Sequence, residues 1–290
     1  MINYTIIIPH YRSVDTLRRL LSSIPDRNDI QILVIDDNSN LNEDEFKQLP
    51  SFVCAEFSMI FLSENRGAGG ARNEGLRIAK GKWLIFADSD DFFLAFAFEL
   101  CDEYLLSKYD IVYFGITSVD SVTFEKNDRY KFNHRYIEKY DESSNETKEI
   151  LKFRHDVPWG KMIRSSVVFS NNIVFDETRY YNDTMFSTKV ALIAKEIHAD
   201  IRPFYCVTEK QGSLMTHNSK EAILIRLEVH LHKNQLLRRC GKKKYQYSIL
   251  PFIKHLCPYG IGAVWEGINL GLKYRANFFI GISQKLKLKC

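Results

Sequence analysis

The sequence predicts an α/β fold: a mixed, mainly parallel sheet flanked by helices, with a C-terminal helical extension. Three observations point there. Short apolar runs at residues 5–8, 30–35, 57–62 and 83–87 each end in polar residues. Segments with helical spacing of apolar residues lie between them. Beyond residue 215 the strand-like runs give way to a long helical pattern.

The first run is closed by Pro9, as suits a central parallel strand. After His10-Tyr11-Arg12, Ser13 fits a helix cap, and Leu17, Leu20, Leu21 and Ile24 repeat at helical spacing up to Pro25. The second run ends in Asp36-Asp37-Asn38-Ser39. The third is followed by Asn65-Arg66-Gly67-Ala68-Gly69-Gly70-Ala71-Arg72-Asn73, leading into a helix with Ala71, Gly75, Leu76 and Ala79 on its inner face. G-A-G-G-A is not G-x-G-x-x-G and does not follow the first strand, which excludes the dinucleotide fingerprint. The small residues instead suit a close approach of backbone amides and Arg72 to a nucleotide.

A partly apolar helix is expected over 94–106 and a strand over 111–114. Residues 119–145 turn polar and aromatic, and read as a mobile loop or as an ordinary surface hairpin and linker. A short strand or turn over 158–163, a short helix over 165–171 and a short strand over 173–175 follow. Tyr180-Tyr181-Asn182-Asp183 opens a helix to about Lys195, which Asp183 could simply cap. A strand over 197–207 and a turn at Gly212-Ser213 complete this part. From Lys220 a helix runs to Arg239, with Ile223, Leu227, Leu231 and Leu236 on one face and Gly241 as its stop. His230 and His232 point in different directions and read as surface or packing residues rather than metal ligands.

The fourth run ends in three carboxylates within four residues, Asp88-Ser89-Asp90-Asp91. Packed that closely they need a cation or many hydrogen-bond donors. A hard divalent ion joining Asp90 to substrate phosphates answers this at the carboxyl end of a strand, where α/β sheets bind ligands. A helix cap is the plainer alternative, but one Asp would serve for that.

Composition excludes several classes. The net charge of +4 does not call for nucleic acid. Six cysteines without a C-x-x-C pair give no disulfide framework and suit a reducing compartment. Met1-Ile2-Asn3-Tyr4 lacks a basic leader, and no apolar stretch approaches the roughly 20 residues that cross a bilayer. A cytoplasmic location is expected.

Four stretches taken in order carry a resemblance. They are Ile8-Pro9-His10-Tyr11; then Val34-Ile35-Asp36-Asp37-Asn38-Ser39; then Asn65-Arg66-Gly67 through Ala79-Lys80-Gly81 into Phe86-Ala87-Asp88-Ser89-Asp90-Asp91; and last Trp159-Gly160-Lys161 with Asn182-Asp183. Over about residues 5–213 the chain resembles the family 2 glycosyltransferases of the GT-A fold, which build bacterial cell-surface polysaccharides. The resemblance implies a nucleotide-binding half over 1–115, an acceptor-binding half over 116–215 and a helical extension over 216–290. It also implies metal-dependent, inverting transfer of a sugar from a nucleotide-sugar, a UDP-sugar, to a saccharide or lipid-linked acceptor. Pro9 and Tyr11 would frame the base, Asp37 would accept from it, and Arg72 would lie near the ribose and diphosphate. Asp88 would hold the ribose, with Ser89 in the donor set, and Asp90 the Mn²⁺ or Mg²⁺. Asp91 would orient the loop or reach the metal through water, and Asp183 would be the general base. Trp159 and Lys161 would shape the sugar pocket or serve the fold.

Two positions depart from the family. Asn182 stands where Glu is usual, and Leu94-Ala95-Phe96 lacks the common proline. The C-terminal region from Lys242 through Lys289 mixes basic and apolar residues; Tyr274 to Leu288 would settle on an anionic membrane surface, or the region would form a helical lid on the core with a solvated basic tail. A nucleotidyltransferase is disfavoured, because Pro9-His10-Tyr11-Arg12 occupies the place of its glycine-rich loop. A non-catalytic donor-binding scaffold subunit is the rival from another class.

Overall fold

The computed structural model describes residues 1–41, 43–209 and 218–280. Its strands are β1 (Tyr4–His10), β2 (Ile30–Asp36), β3 (Glu56–Phe61), β4 (Trp83–Phe86), β5 (Phe92–Phe93), β6 (Ile111–Asp120), β7 (Lys161–Arg164) and β8 (Ile197–Glu209). Its helices are α1 (Val14–Ser22), α2 (Glu43–Phe46), α3 (Gly67–Ile78), α4 (Ala97–Glu103), α5 (Lys131–Glu138), α6 (Asn145–Arg154), α7 (Ser165–Phe169), α8 (Thr184–Ile193), α9 (Lys220–Arg239), α10 (Leu250–Leu256) and α11 (Ile261–Lys273). Among the described residues the strands form one sheet in the order β3-β2-β1-β4-β7-β6-β8-β5. The first four run parallel, as do β6 and β8, while β7 and β5 are antiparallel to their neighbours. The mixed, mainly parallel α/β sheet is therefore present, with helices after it.

Every residue of β1, β2 and β4 is buried, which is why these strands read as unbroken apolar runs. The polar Thr5 and Gln31 lie side by side, and the Thr5 hydroxyl donates to Gln31 (2.8 Å) and accepts from the Gly81 amide (2.8 Å). A Cβ at Gly81 would lie 2.4 Å from the Thr5 nitrogen, so the chain enters β4 this close to β1 only as glycine.

Several expectations are corrected. β1 continues through Pro9 to His10. The Ile7 carbonyl accepts from Ala87 on the β4 side and the His10 carbonyl from Asp37 on the β2 side, so Pro9 faces β4 just past its last paired residue. Its missing N–H leaves no gap in the ladder. The glycine-rich stretch that leads into the third helix supplies its first turn, since α3 begins at Gly67. The helix expected over 94–106 is only Ala97–Glu103, because Phe92 and Phe93 pair with β8 and Phe96 is left-handed (φ 64°). Residues 119–145 contain a Val119–Lys126 bridge and α5, so part of the hairpin reading holds, and a structureless loop does not. Residues 173–175 form no strand, since both ends of Phe175 bond the Asn73 side chain instead (2.8 and 3.0 Å).

Gly212-Ser213 and Lys285, Lys287 and Lys289 lie outside the described residues. The five cysteines within them are unpaired. Among the described residues no helix is long and apolar enough to cross a membrane.

Candidate active site

β1, β2 and β4 end side by side, with His10 opposite Asp36 and Ile7 opposite Phe86. The residues that follow them, Tyr11, Asp37 and Asp88-Ser89-Asp90, therefore gather at the carboxyl edge of the sheet. A buried network that sequence reading missed ties the first two loops. His10 Nε2 accepts the Ser13 N–H (3.1 Å), so its own proton is on Nδ1 and goes to Asp36 (2.7 Å). Ser39 donates to the same carboxylate through its N–H (2.8 Å) and its hydroxyl (2.5 Å). Asp36 thus fixes the turn after β2 and, through His10, the loop that carries Tyr11. Tyr11 itself is 44% exposed, whereas Pro9 is buried. Asp37 is buried and accepts the Arg66 N–H (2.7 Å) at the start of α3. Burial raises its pKa, against hydrogen bonds from the Arg66 and Gly67 amides.

Arg72 joins the two halves of the site. It is buried on α3, donating through one nitrogen to Asp88 (2.5 Å) and through another to Asn182 (2.8 Å). Its guanidinium lies 5.3 Å over Phe175, which stacks on Phe186 at 3.8 Å. The helix approaches this segment closely: a Cβ on Gly69 would lie 2.1 Å from the Asp176 carbonyl oxygen. Asn182 and its neighbour Asp183 are thereby brought beside the strand-end carboxylates.

The acidic loop is held by its backbone. The Asp90 carbonyl accepts from Arg19 and from the Thr208 hydroxyl (2.6 Å), and the Asp88 N–H donates to the Tyr205 hydroxyl (2.9 Å). Asp91 is buried and accepts the Thr208 N–H (2.7 Å), so it orients the loop. Asp90 is exposed, although protein crowds its carboxyl. Loss of water there, then the charge of Asp88, raises its pKa. An open carboxylate beside two other acids fits a hard divalent cation. Among the described residues no group of three His, Cys, Asp or Glu is placed to hold a metal ion.

Asp183 stands at the N-terminus of α8 and makes no side-chain capping bond, which sets the simple cap reading aside. Burial raises its carboxyl to about 6, with Arg72 opposing and Asp156 and Asp88 adding to the rise. The turn before it is strained: Tyr181 is left-handed (φ 54°) and leans on His230 of α9 (ring centroids 5.2 Å). Lys161 is buried and donates to the His155 carbonyl (3.1 Å). Burial lowers its pKa to about 7, against the charges of Asp156 and Asp183. Trp159 stacks on Tyr205 (5.9 Å), so it supports the same loop.

Residues 5–169 match the family model for glycosyl transferase family 2. The chain belongs to that family. It is 27% identical to glycosyltransferase GlyA of Streptococcus pneumoniae over 72% of its own length and 31% of that protein. It is 25% identical to the glycosyltransferase EpsJ of Bacillus subtilis over 92% of this chain and 73% of that one. A third relative is the Escherichia coli UDP-Glc:alpha-D-GlcNAc-diphosphoundecaprenol beta-1,3-glucosyltransferase WfgD, 34% identical over 33% of this chain and 38% of that one. The chain thus spans about a third of GlyA and of WfgD. Among solved structures, residues 1–349 of TarS from S. aureus with UDP-GlcNAc superpose with a TM-score of 0.61 at 20% identity, covering 91% of this chain and 82% of that one. The mannosyltransferase PcManGT of Pyrobaculum calidifontis, with GDP-Man and Mn²⁺, gives 0.53 at 13% identity, covering 94% and 82%. These likenesses show the GT-A fold.

Beyond the family match, α9 adds residues that its apolar spacing did not reveal. Arg226, His230 and Lys233 are all buried, at i, i+4 and i+7. Lys233 donates to Asp156 (2.7 Å) and to the Phe153 carbonyl (3.0 Å). His230 is a packing residue, as expected; burial lowers its pKa to about 4.

Proposed function

We propose that this family 2 chain is an inverting glycosyltransferase in cell-surface polysaccharide biosynthesis. It transfers a sugar from a UDP-sugar to a hydroxyl of a saccharide or lipid-linked acceptor, in the cytoplasm or on the inner face of the membrane. Residues 1–215 form the transferase unit and 216–290 its helical extension. The observation that carries this reading is the Arg72 bridge, which joins Asp88 to the Asn182-Asp183 turn. The UDP-GlcNAc and UDP bound by TarS and the donor in the name of WfgD favour a uridine nucleotide.

Tyr11 stacks on the base, with Pro9 and Asp37 beside it. Asp88 and Ser89 hold the ribose end, and Arg72 fixes Asp88 for that purpose. The acceptor hydroxyl attacks the anomeric carbon opposite the diphosphate and gives its proton to Asp183, so one displacement inverts the centre. Asp90, with the donor phosphates, would hold Mn²⁺ or Mg²⁺, which supplies charge neutralisation for the leaving diphosphate.

A screen of UDP-sugars with Mn²⁺, read as released UDP, is expected to find slow turnover that EDTA abolishes. Asp90→Ala should remove the Mn²⁺ dependence of UDP binding in calorimetry. Affinity for UDP that is the same with and without Mn²⁺ in the unaltered protein would refute the metal assignment. A scaffold subunit would release no UDP from any donor.

A further inference from the structure

Three elements from distant parts of the chain converge on one carbonyl. The Asp90 C=O accepts from the guanidinium of Arg19, in the last turn of α1, and from the hydroxyl of Thr208 on β8 (2.6 Å). The third element is the turn that follows β6, and it acts through Arg19. Phe124 of that turn has its ring centre 5.2 Å from the Arg19 guanidinium carbon, and Phe92 of β5 has its own at 5.5 Å. A planar cation in contact with two rings gains from both and loses its freedom to swing. β5 is itself tied to α1, since the Phe93 N–H donates to the Ser23 hydroxyl (3.0 Å).

The turn holds Phe124 where it is. The Asp120 carboxylate accepts the Val122 and Thr123 N–H groups (2.8 and 2.9 Å), and the Asp120 carbonyl accepts that of Phe124 (3.1 Å). Phe124 is left-handed (φ 58°), a strained conformation for an aromatic residue, and yet it stays 50% exposed. Burial in the core therefore does not account for the strain; contact with Arg19 is what the turn achieves. Arg19 gives something up as well. Its Nε is buried without an acceptor among the described residues, a cost that an arm extended into solvent would avoid. Its bond goes to the Asp90 carbonyl and not to the carboxylate, so it fixes the residue and leaves the exposed carboxylate open.

We infer that Arg19 is a positioning residue for the cation site: it sets the Asp90 carboxylate through the Asp90 carbonyl, and the Phe124 turn holds Arg19 in the place where it does so. The inference rests on the proposed reading of Asp90 as the carboxylate that holds Mn²⁺ or Mg²⁺ with the donor phosphates. Removing a group that orients a metal ligand changes metal affinity about 10–100-fold, and with Thr208 still bonded the lower end applies here.

The test is UDP binding by calorimetry, with and without Mn²⁺, in the unaltered protein and in three variants. Arg19→Gln should weaken the Mn²⁺ enhancement of UDP affinity about tenfold and leave the metal-free affinity unchanged. Arg19→Lys keeps a cationic donor but not the planar face, and should recover part of that loss. Phe124→Ala changes a half-exposed side chain, and should reduce the enhancement about two- to fivefold. Losses shared equally by the metal-free and Mn²⁺-loaded affinities would make Arg19 merely structural and overturn the inference. So would an enhancement that Arg19→Gln leaves intact, while one untouched in Phe124→Ala overturns the part given to the turn. Failure in the variants alone leaves the metal reading of Asp90 standing. An unaltered protein that binds UDP equally with and without Mn²⁺, or not at all, refutes that reading and takes this inference with it.

Discussion

At Asp183 burial and the Arg72 guanidinium pull the carboxyl in opposite directions, and burial wins, leaving it at about 6. A base with that value is about nine-tenths ionised at pH 7 yet still takes a proton readily. The acid limb of kcat/KM is therefore expected near pH 6, with activity falling as pH drops because a protonated carboxyl cannot accept. Asp183→Asn should lower kcat by about 10²–10⁴ with donor affinity unchanged; equal losses in both would make the residue structural. The same burial has a thermodynamic sign. The folded carboxyl binds its proton more tightly than the unfolded one, so the linked stability is present below about pH 4 and lost as pH rises through about 6. Asp183→Asn removes no capping bond, so it should raise Tm at pH 7 and lose that advantage at pH 4. Asn182 accepts from Arg72 without cancelling its charge. An Asn182→Glu variant would pair with Arg72 and add a negative neighbour, and should move the acid limb to higher pH. A profile that stays in place would show that Arg72 does not tune the base.

The elements divide into those that local pattern dictates and those that distant partners decide. α9 was legible to the residue, because Ser219 caps it with an acceptor for the Ala222 N–H (3.2 Å) and Gly241 supplies a left-handed stop (φ 74°). β1, β2 and β4 were legible as strands from their apolar runs, though β1 reaches past Pro9 to His10, and so were the carboxylates at the ends of β2 and β4. The inward polar stripe of α9 was not, since the apolar spacing left Arg226 and Lys233 off the inner face and His230 open between surface and packing. Partners from other segments bury them, among them Asp156 and the rings of Tyr180, Tyr181 and Tyr247. The His10, Asp36 and Ser39 network was hidden for the same reason: its members come from two strands. The stripe matters because His230 supports the left-handed Tyr181 just before the base. His230→Ala should lower kcat by about 10–100-fold with donor Kd little changed, the effect of displacing a reacting group by a fraction of an ångström. His230→Phe, which keeps a ring against Tyr181, should recover most of that loss; an unaltered kcat in the alanine variant would show that the turn holds without α9.

For the molecule as a whole, the question is what makes the C-terminal helices part of the same body as the sheet. The apolar clusters around α9, α10 and α11 are small, and are separate from the main core. The most specific tie is ionic: Lys233 is fully buried and its ammonium meets Asp156 at 2.7 Å, with the Phe153 carbonyl as a second acceptor at 3.0 Å. A pair like this contributes little net stability over an apolar substitute, yet breaking it leaves a charge without a partner. Lys233→Met should therefore cost about 3–5 kcal/mol in urea unfolding. A second change, Asp156→Leu, should return most of it, because the stranded carboxylate is then gone. Asp156 raises the Asp183 carboxyl and the Lys233 ammonium acts on it in the opposite sense, so the double variant, which removes both charges, should shift its acid limb less than Asp156→Leu alone. Additive losses in the two single variants would instead mean that α9 is held by its apolar contacts, and that the ion pair is incidental to the joining of the helices to the sheet.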